Sequence, residues 1–132
     1  MIVADATVLA GFLFPRDELH ASVNAVRNKD ADWHCPELVF SEVRNVALKH
    51  HRKGDTLDSI IARCNLAAAS VSVYRMHSYS VLQIAVEAGL TGYDAEYVAL
   101  ARQLGTRLVT TDNKILVSYP ELAIHPESFV KT

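Results

Sequence analysis

Two short apolar runs each hand over to an aspartate: Ile2-Val3-Ala4 into Asp5, and Leu108-Val109-Thr110-Thr111 into Asp112. If both runs are strands of one parallel sheet, both carboxylates reach its carboxyl rim, where α/β proteins bind ligands. Two further acids border apolar helical stripes. Asp94 precedes Tyr97, Val98 and Ala101 by three, four and seven residues, and Glu42 lies three after Val39 and four before Val46. Glu96 falls further round, toward solvent.

Inward-pointing acids carry a chemical requirement. Two carboxylates about 6 Å apart repel by roughly 2–3 kcal/mol at an effective dielectric near 20. Four of them need either raised pKa values or a cation. Oxygen ligands favour Mg²⁺ or Mn²⁺ over zinc, and the six histidines form no zinc motif. A pair of such ions held by carboxylates suits phosphodiester hydrolysis, one helping to generate the nucleophile and the other steadying the leaving oxygen. Asp is also a favoured helix N-cap, and Asp5, Asp94 and Asp112 all lie at or near a helix start. Taken singly, each reads as a cap as readily as a ligand, and Glu42 alone reads as a solvated helix residue.

The elements that must position these acids follow from periodicity and punctuation. Thr7 to Phe14 reads as a helix stopped by Pro15, and Asp17 to Asn28 as a second, with Leu19, Val23 and Val26 on one side. Trp33 to Cys35 reads as a short strand. Pro36 suits the first turn of a helix running to about His51, with Val39, Val43, Val46, Ala47 and His50 at helical spacing. Asp55 opens another helix, with Leu57, Ile60, Ile61 and Cys64 expected to face inward. Val71 to Tyr74 alternates like a strand. Ser78 to Ala88 and Thr91 to Leu104 read as helices stopped by Gly89 and Gly105. A strand over Arg107 to Thr110, a short helix over Lys114 to Ser118 and a strand around Ala123 to His125 complete the chain. Strands alternating with helices predict a three-layer α/β/α sandwich with a mainly parallel central sheet, built as a single domain over residues 1–132.

Composition narrows the class. The chain has 132 residues, half of them apolar, enough to bury a core. No apolar run approaches the roughly 20 residues of a membrane-spanning helix. The opening Met1 to Asp5 carries no basic stretch, so no signal peptide is expected. Cys35 and Cys64 read as ordinary thiols of a reducing compartment, and the cytoplasm is the expected location. A net charge of −2 argues against charge-driven, non-specific nucleic-acid binding. The densest basic run, Lys49-His50-His51-Arg52-Lys53, reads first as a helix C-terminus whose charges complement the dipole, and otherwise as a phosphate contact. Arg16, Arg44 and Lys114 lie near the acids and read chiefly as solvated surface. Phe12, Phe14 and Trp33 read as core or dimer-contact aromatics.

The settings of the four acids resemble the PIN-domain family, and most closely its VapC-like toxin ribonucleases. Ile2-Val3-Ala4-Asp5-Ala6-Thr7-Val8-Leu9 is similar to the first-strand motif with its metal-binding aspartate. Ser41-Glu42-Val43 is similar to the second acid's setting. Thr91-Gly92-Tyr93-Asp94-Ala95-Glu96-Tyr97-Val98-Ala99-Leu100-Ala101 is similar to the third and is the most specific match. Leu108-Val109-Thr110-Thr111-Asp112-Asn113-Lys114 is similar to the fourth, with Thr110 as a supporting hydroxyl. The pattern departs at Ala6, where a small hydroxyl residue often follows the first acid directly. The resemblance covers essentially the whole chain. It implies a Mg²⁺- or Mn²⁺-dependent endoribonuclease acting through Asp5, Glu42, Asp94 and Asp112. It also implies an RNA substrate, a homodimer and a cognate antitoxin protein.

Three other readings stand beside it. A signalling receiver domain shares the layering and an acid-lined Mg²⁺ pocket, but requires an acid pair after the first strand where this chain has Asp5 alone. A catalytically silent binding module could keep the same fold. A DNA-directed nuclease is the nearest sibling, disfavoured because no insertion is present to clamp a duplex.

Overall fold

The computed structural model describes all 132 residues. Five strands, β1 (Ile2–Ala4), β2 (Trp33–Pro36), β3 (Ser72–Tyr74), β4 (Leu108–Val109) and β5 (Ala123–Ile124), form one sheet in the order β3-β2-β1-β4-β5, with every pair parallel. Eight helices connect or flank them: α1 (Ala6–Leu13), α2 (His20–Lys29), α3 (Val39–Arg52), α4 (Leu57–Ser70), α5 (Ser78–Ala88), α6 (Gly92–Leu104), α7 (Asn113–Ser118) and α8 (Pro126–Val130). Helices α1 to α4 pack on one another, whereas α5 and α6 form a separate pair, with α6 against β1, β2 and β4.

This division follows from the connections. From β1 the chain steps outward through β2 to β3, then crosses back to lay β4 on the other side of β1. Parallel crossovers are right-handed, so reversing the direction of travel moves the helices to the opposite face of the sheet. The sheet expected from the sequence is present and fully parallel, and its direction of winding reverses between β1 and β4.

The core is one cluster of buried side chains that includes every residue of β1, together with Trp33, Cys35, Leu108 and Val109. Strands buried on both faces read as continuous apolar runs, as β1 and β4 do. Phe14 and Trp33 are buried and Phe12 packs against the core edge-on to Trp33, at 5.6 Å between ring centroids. The Cys35 thiol donates to the Ala4 carbonyl at 3.3 Å, and burial pushes its pKa up to about 12. No helix is long and apolar enough to cross a membrane.

Three local expectations need correction. Pro36 ends β2, paired with Tyr74, instead of opening α3. Its carbonyl-side neighbour Glu37 donates its N–H to the Tyr74 carbonyl, so the chain stays extended through the proline before turning. In α4, Ile60 is buried as expected, but Leu57 and Ile61 are exposed because the helix rests on α3 by a narrower stripe ending at Ala67. The closing helix α8 lies where the sequence pattern signals no helix. It starts at Pro126 with His125 as its cap, the ring Nδ1 accepting from Glu127 N at 3.2 Å.

Candidate active site

The reversal of winding puts a crevice at the carboxyl ends of β1 and β4, and the residues just beyond those strands are Asp5 and Thr110 to Asp112. The β1–β4 register pairs Ala4 with Val109, so Asp5 falls opposite Thr110. The Thr110 hydroxyl donates to Asp5 Oδ2. Asp5 Oδ1 accepts from Val8 N at 3.0 Å and from the Thr7 hydroxyl at 2.8 Å. Asp5 is thus the N-cap of α1 and also held from the sheet side. Asp112 caps α7 through Oδ1, which accepts from Ile115 N at 3.1 Å. Its own N–H donates to the Thr110 hydroxyl at 3.0 Å, so Thr110 ties the two strand-end acids together.

The other two acids come from helices. Asp94 is in the first turn of α6, where Thr91 and not Asp94 supplies the cap. Glu42 is in the first turn of α3, and Oε1 accepts from the Tyr97 hydroxyl of α6 at 2.6 Å. Tyr97 is buried, so this bond fixes the direction of Glu42.

All four sequence-derived acids line one cavity of about 170 Å³, together with Thr7, Tyr97, Thr111 and Ile115. Three of them have raised pKa values. Burial is the main cause at Asp5, opposed by its bonds to Thr110, Val8 and Thr7 and reinforced by the charge of Asp112. Burial also raises Glu42, against the Tyr97 bond and with the charges of Asp94 and Asp5. Burial and the charge of Asp112 raise Asp94, against Thr91 and Lys114. Burial and mutual repulsion thus disfavour the charged forms of these acids, a cost that a bound cation would relieve. Its donors are all oxygens, the set that suits Mg²⁺ or Mn²⁺. As they lie, no three of the acids close into a compact ligand group.

Several residues acquire definite surroundings. Thr7 supplies to Asp5 the hydroxyl that the sequence lacks at position 6. Lys114 donates to the Gly89 carbonyl at 2.5 Å and stands near enough to Asp94 to lower its pKa. Arg16 is paired with Asp55 at 2.6 Å and lies in a neighbouring cavity. Glu96 does not line the acidic pocket; it borders a separate depression with Arg44 and Arg75. Sequence reasoning missed Thr111 and the Tyr97–Glu42 bond. Thr111 adjoins a named acid and could have been found by proximity, whereas a bond across 55 positions leaves no local signal.

Comparison with known proteins agrees with this fold. The PIN domain family model matches residues 2–121. Ribonuclease VapC3 of Pyrobaculum aerophilum is 28% identical over 130 residues, spanning 92% of this chain and 96% of that protein. The crystal structure of PAE2754 from Pyrobaculum aerophilum aligns with a TM-score of 0.77 at 26% identity, over 98% of this chain and 86% of that one. A chain of a toxin–antitoxin complex from Klebsiella pneumoniae aligns at TM-score 0.72 and 17% identity, covering 96% of this chain and 98% of its own. Mycobacterium tuberculosis VapC20, a toxin that cleaves the sarcin–ricin loop, aligns at 0.68 and 15% identity, covering 89% and 95% respectively. These last two share the fold.

Proposed function

The chain belongs to the PIN-domain family, and from that membership we propose that residues 1–132 act as a single metal-dependent endoribonuclease domain, the toxin of a toxin–antitoxin pair. The observation that carries this reading is the meeting of four acids from four separate elements in one crevice where the sheet reverses its winding. The Pyrobaculum relative, matched over nearly its whole length, is a ribonuclease, which supports the same chemistry here.

In this reading Asp5, Glu42, Asp94 and Asp112 hold Mg²⁺ or Mn²⁺. When bound, such an ion supplies activation of the nucleophile and neutralisation of charge on the leaving oxygen. The remaining work belongs to the protein. Thr110 and Thr7 orient Asp5, Tyr97 orients Glu42, and the two caps fix Asp5 and Asp112 to the starts of α1 and α7. Carboxylates already held in place cost less to orient when the substrate's phosphate arrives. The enzyme works in the cytoplasm, forms a homodimer, and is blocked by an antitoxin that inserts a positively charged side chain among the acids.

The test is cleavage of RNA by purified protein. With Mg²⁺ or Mn²⁺ the product should carry a 5′-phosphate and a 3′-hydroxyl, and EDTA should stop the reaction. Cleavage that survives thorough chelation, or a 2′,3′-cyclic phosphate product, would overturn the mechanism. RNA binding without cleavage under any metal would leave the silent binding module as the correct reading.

A further inference from the structure

Helix α3 brings more toward the crevice than Glu42. Glu42, Val46, Lys49 and Lys53 follow one another at i, i+4, i+7 and i+11, and so share a stripe that runs along the helix and past its C-terminal end. Beyond Glu42 this stripe enters a second cavity, of about 330 Å³, where Val46, Lys49, His50 and Lys53 face Arg16 and Asp17. Thr7 lines both cavities. Its hydroxyl is bonded to Asp5, so the second cavity begins where the acidic pocket ends.

The charges of the second cavity are unevenly committed. Asp55 takes Arg16 at 2.6 Å. Asp17 takes His50 Nε2 at 3.0 Å and the Leu19 N–H at 2.9 Å. His50 is buried and stacked on Phe14, with ring centroids 4.7 Å apart, so it belongs to the wall. Lys49 and Lys53 are exposed, and neither ammonium is engaged in a salt bridge or side-chain hydrogen bond. Glu18 is the one lining acid left without a partner. The lining is almost wholly polar, with only Leu19 and Val46 apolar, which disfavours an apolar small molecule.

We propose that this second cavity is a phosphate-binding subsite for the RNA strand beside the cut, with Lys49 and Lys53 as its two backbone contacts. The proposal rests on the endoribonuclease reading and adds to it the path of the substrate. At a rise of about 1.5 Å per residue, Lys49 lies about 10 Å along the helix from Glu42, and Lys53 about 6 Å further. Those separations address phosphates of neighbouring nucleotides, not the one being cut. The acids and the lysines thus divide the strand: the acids with their cation take the scissile phosphate, and the lysines take the flank.

Binding of a short fluorescein-labelled single-stranded RNA of mixed sequence tests this. Anisotropy would be followed across a series of salt concentrations with Mg²⁺, on an Asp112→Asn background that slows cleavage. For a single strand, the slope of log K against log salt becomes shallower by about 0.7 for each phosphate the protein ceases to neutralise. The Lys49→Gln/Lys53→Gln pair should therefore make it shallower by about 1.4 on that scale, and Lys49→Arg/Lys53→Arg should restore it. Arg52→Gln removes one charge of the same basic run from outside the cavity, and should leave the slope unchanged. Both lysines are exposed, so the variants should melt like the parent. An unchanged slope in the lysine-to-glutamine pair, or an equal effect per charge in Arg52→Gln, overturns the subsite while RNA cleavage by the wild type keeps the nuclease reading. A wild type that neither binds nor cuts RNA overturns both.

Discussion

Asp5 and Asp112 each give one oxygen to a helix N-terminus, so for these two residues capping and facing the pocket are compatible roles. Asp94 separates the roles, because Thr91 caps its helix. Asp94→Asn therefore removes a pocket charge without removing a cap. The Asp94 pKa is raised by burial and by Asp112, so folding disfavours its charged form. Its contribution to stability is fully present below the ordinary 3.8 and is lost as pH rises through the higher folded value. In EDTA, the variant and wild type should melt together near pH 4 and separate toward pH 7. The variant should then be the more stable, by up to about 1 kcal/mol after allowance for partial exposure. Cleavage by the variant should fall by orders of magnitude. A variant that melts below the wild type at pH 7 in EDTA would show that Asp94 is a structural residue. The four acids were legible because strand-to-helix handover and helical spacing are local patterns. Tyr97 was legible as a buried position, but its service to Glu42 depends on how α3 and α6 meet.

Among the elements, the clearest sequence signals were the stops. Gly89 and Gly105 end α5 and α6 in the left-handed conformation, both at φ 64°. A Cβ at Gly105 would meet nothing within 4 Å, so Gly105→Ala tests backbone strain alone. It should cost about 1 kcal/mol in urea unfolding and leave RNA cleavage intact. A neutral substitution would mean that the loop after α6 relaxes at no cost. Boundaries set by tertiary contact were less legible. Asp17 reads as a helix start, yet its side chain turns the chain onto Leu19 N and α2 begins at His20. Pro36 carries a helix-start signal that strand pairing with Tyr74 overrides. The short α8 lacks the length that makes periodicity visible.

At the scale of the whole molecule, what burial leaves outside is as informative as the core. Leu57, Ile61 and Leu66 of α4 are exposed, as are Tyr79, Leu82 and Val86 of α5. The proposed homodimer needs an apolar face to bury, and α4 offers one beside α3. Light scattering across micromolar concentrations should return about twice the 14.6 kDa chain mass. A single-chain mass throughout would contradict the proposed dimer. The order of strands in space was not legible from the sequence. Alternation of strands and helices implies a parallel sheet, but the return from β3 to the far side of β1 depends on long-range packing.

That return has a consequence for when the pocket is assembled. Asp5 and the threonine that holds it, Thr110, are 105 positions apart, and they meet only when β4 is laid beside β1. At synthesis rates of about 5–20 residues per second, the interval between making one and making the other is about 5–20 s. A growing chain therefore exposes its first acid early, yet has no assembled pocket until nearly all of this domain has left the ribosome. On the proposed endoribonuclease reading, the nascent chain is in this way kept silent beside the machinery that makes it. Assembly of the pocket is then the moment at which the proposed antitoxin can meet the enzyme before any turnover.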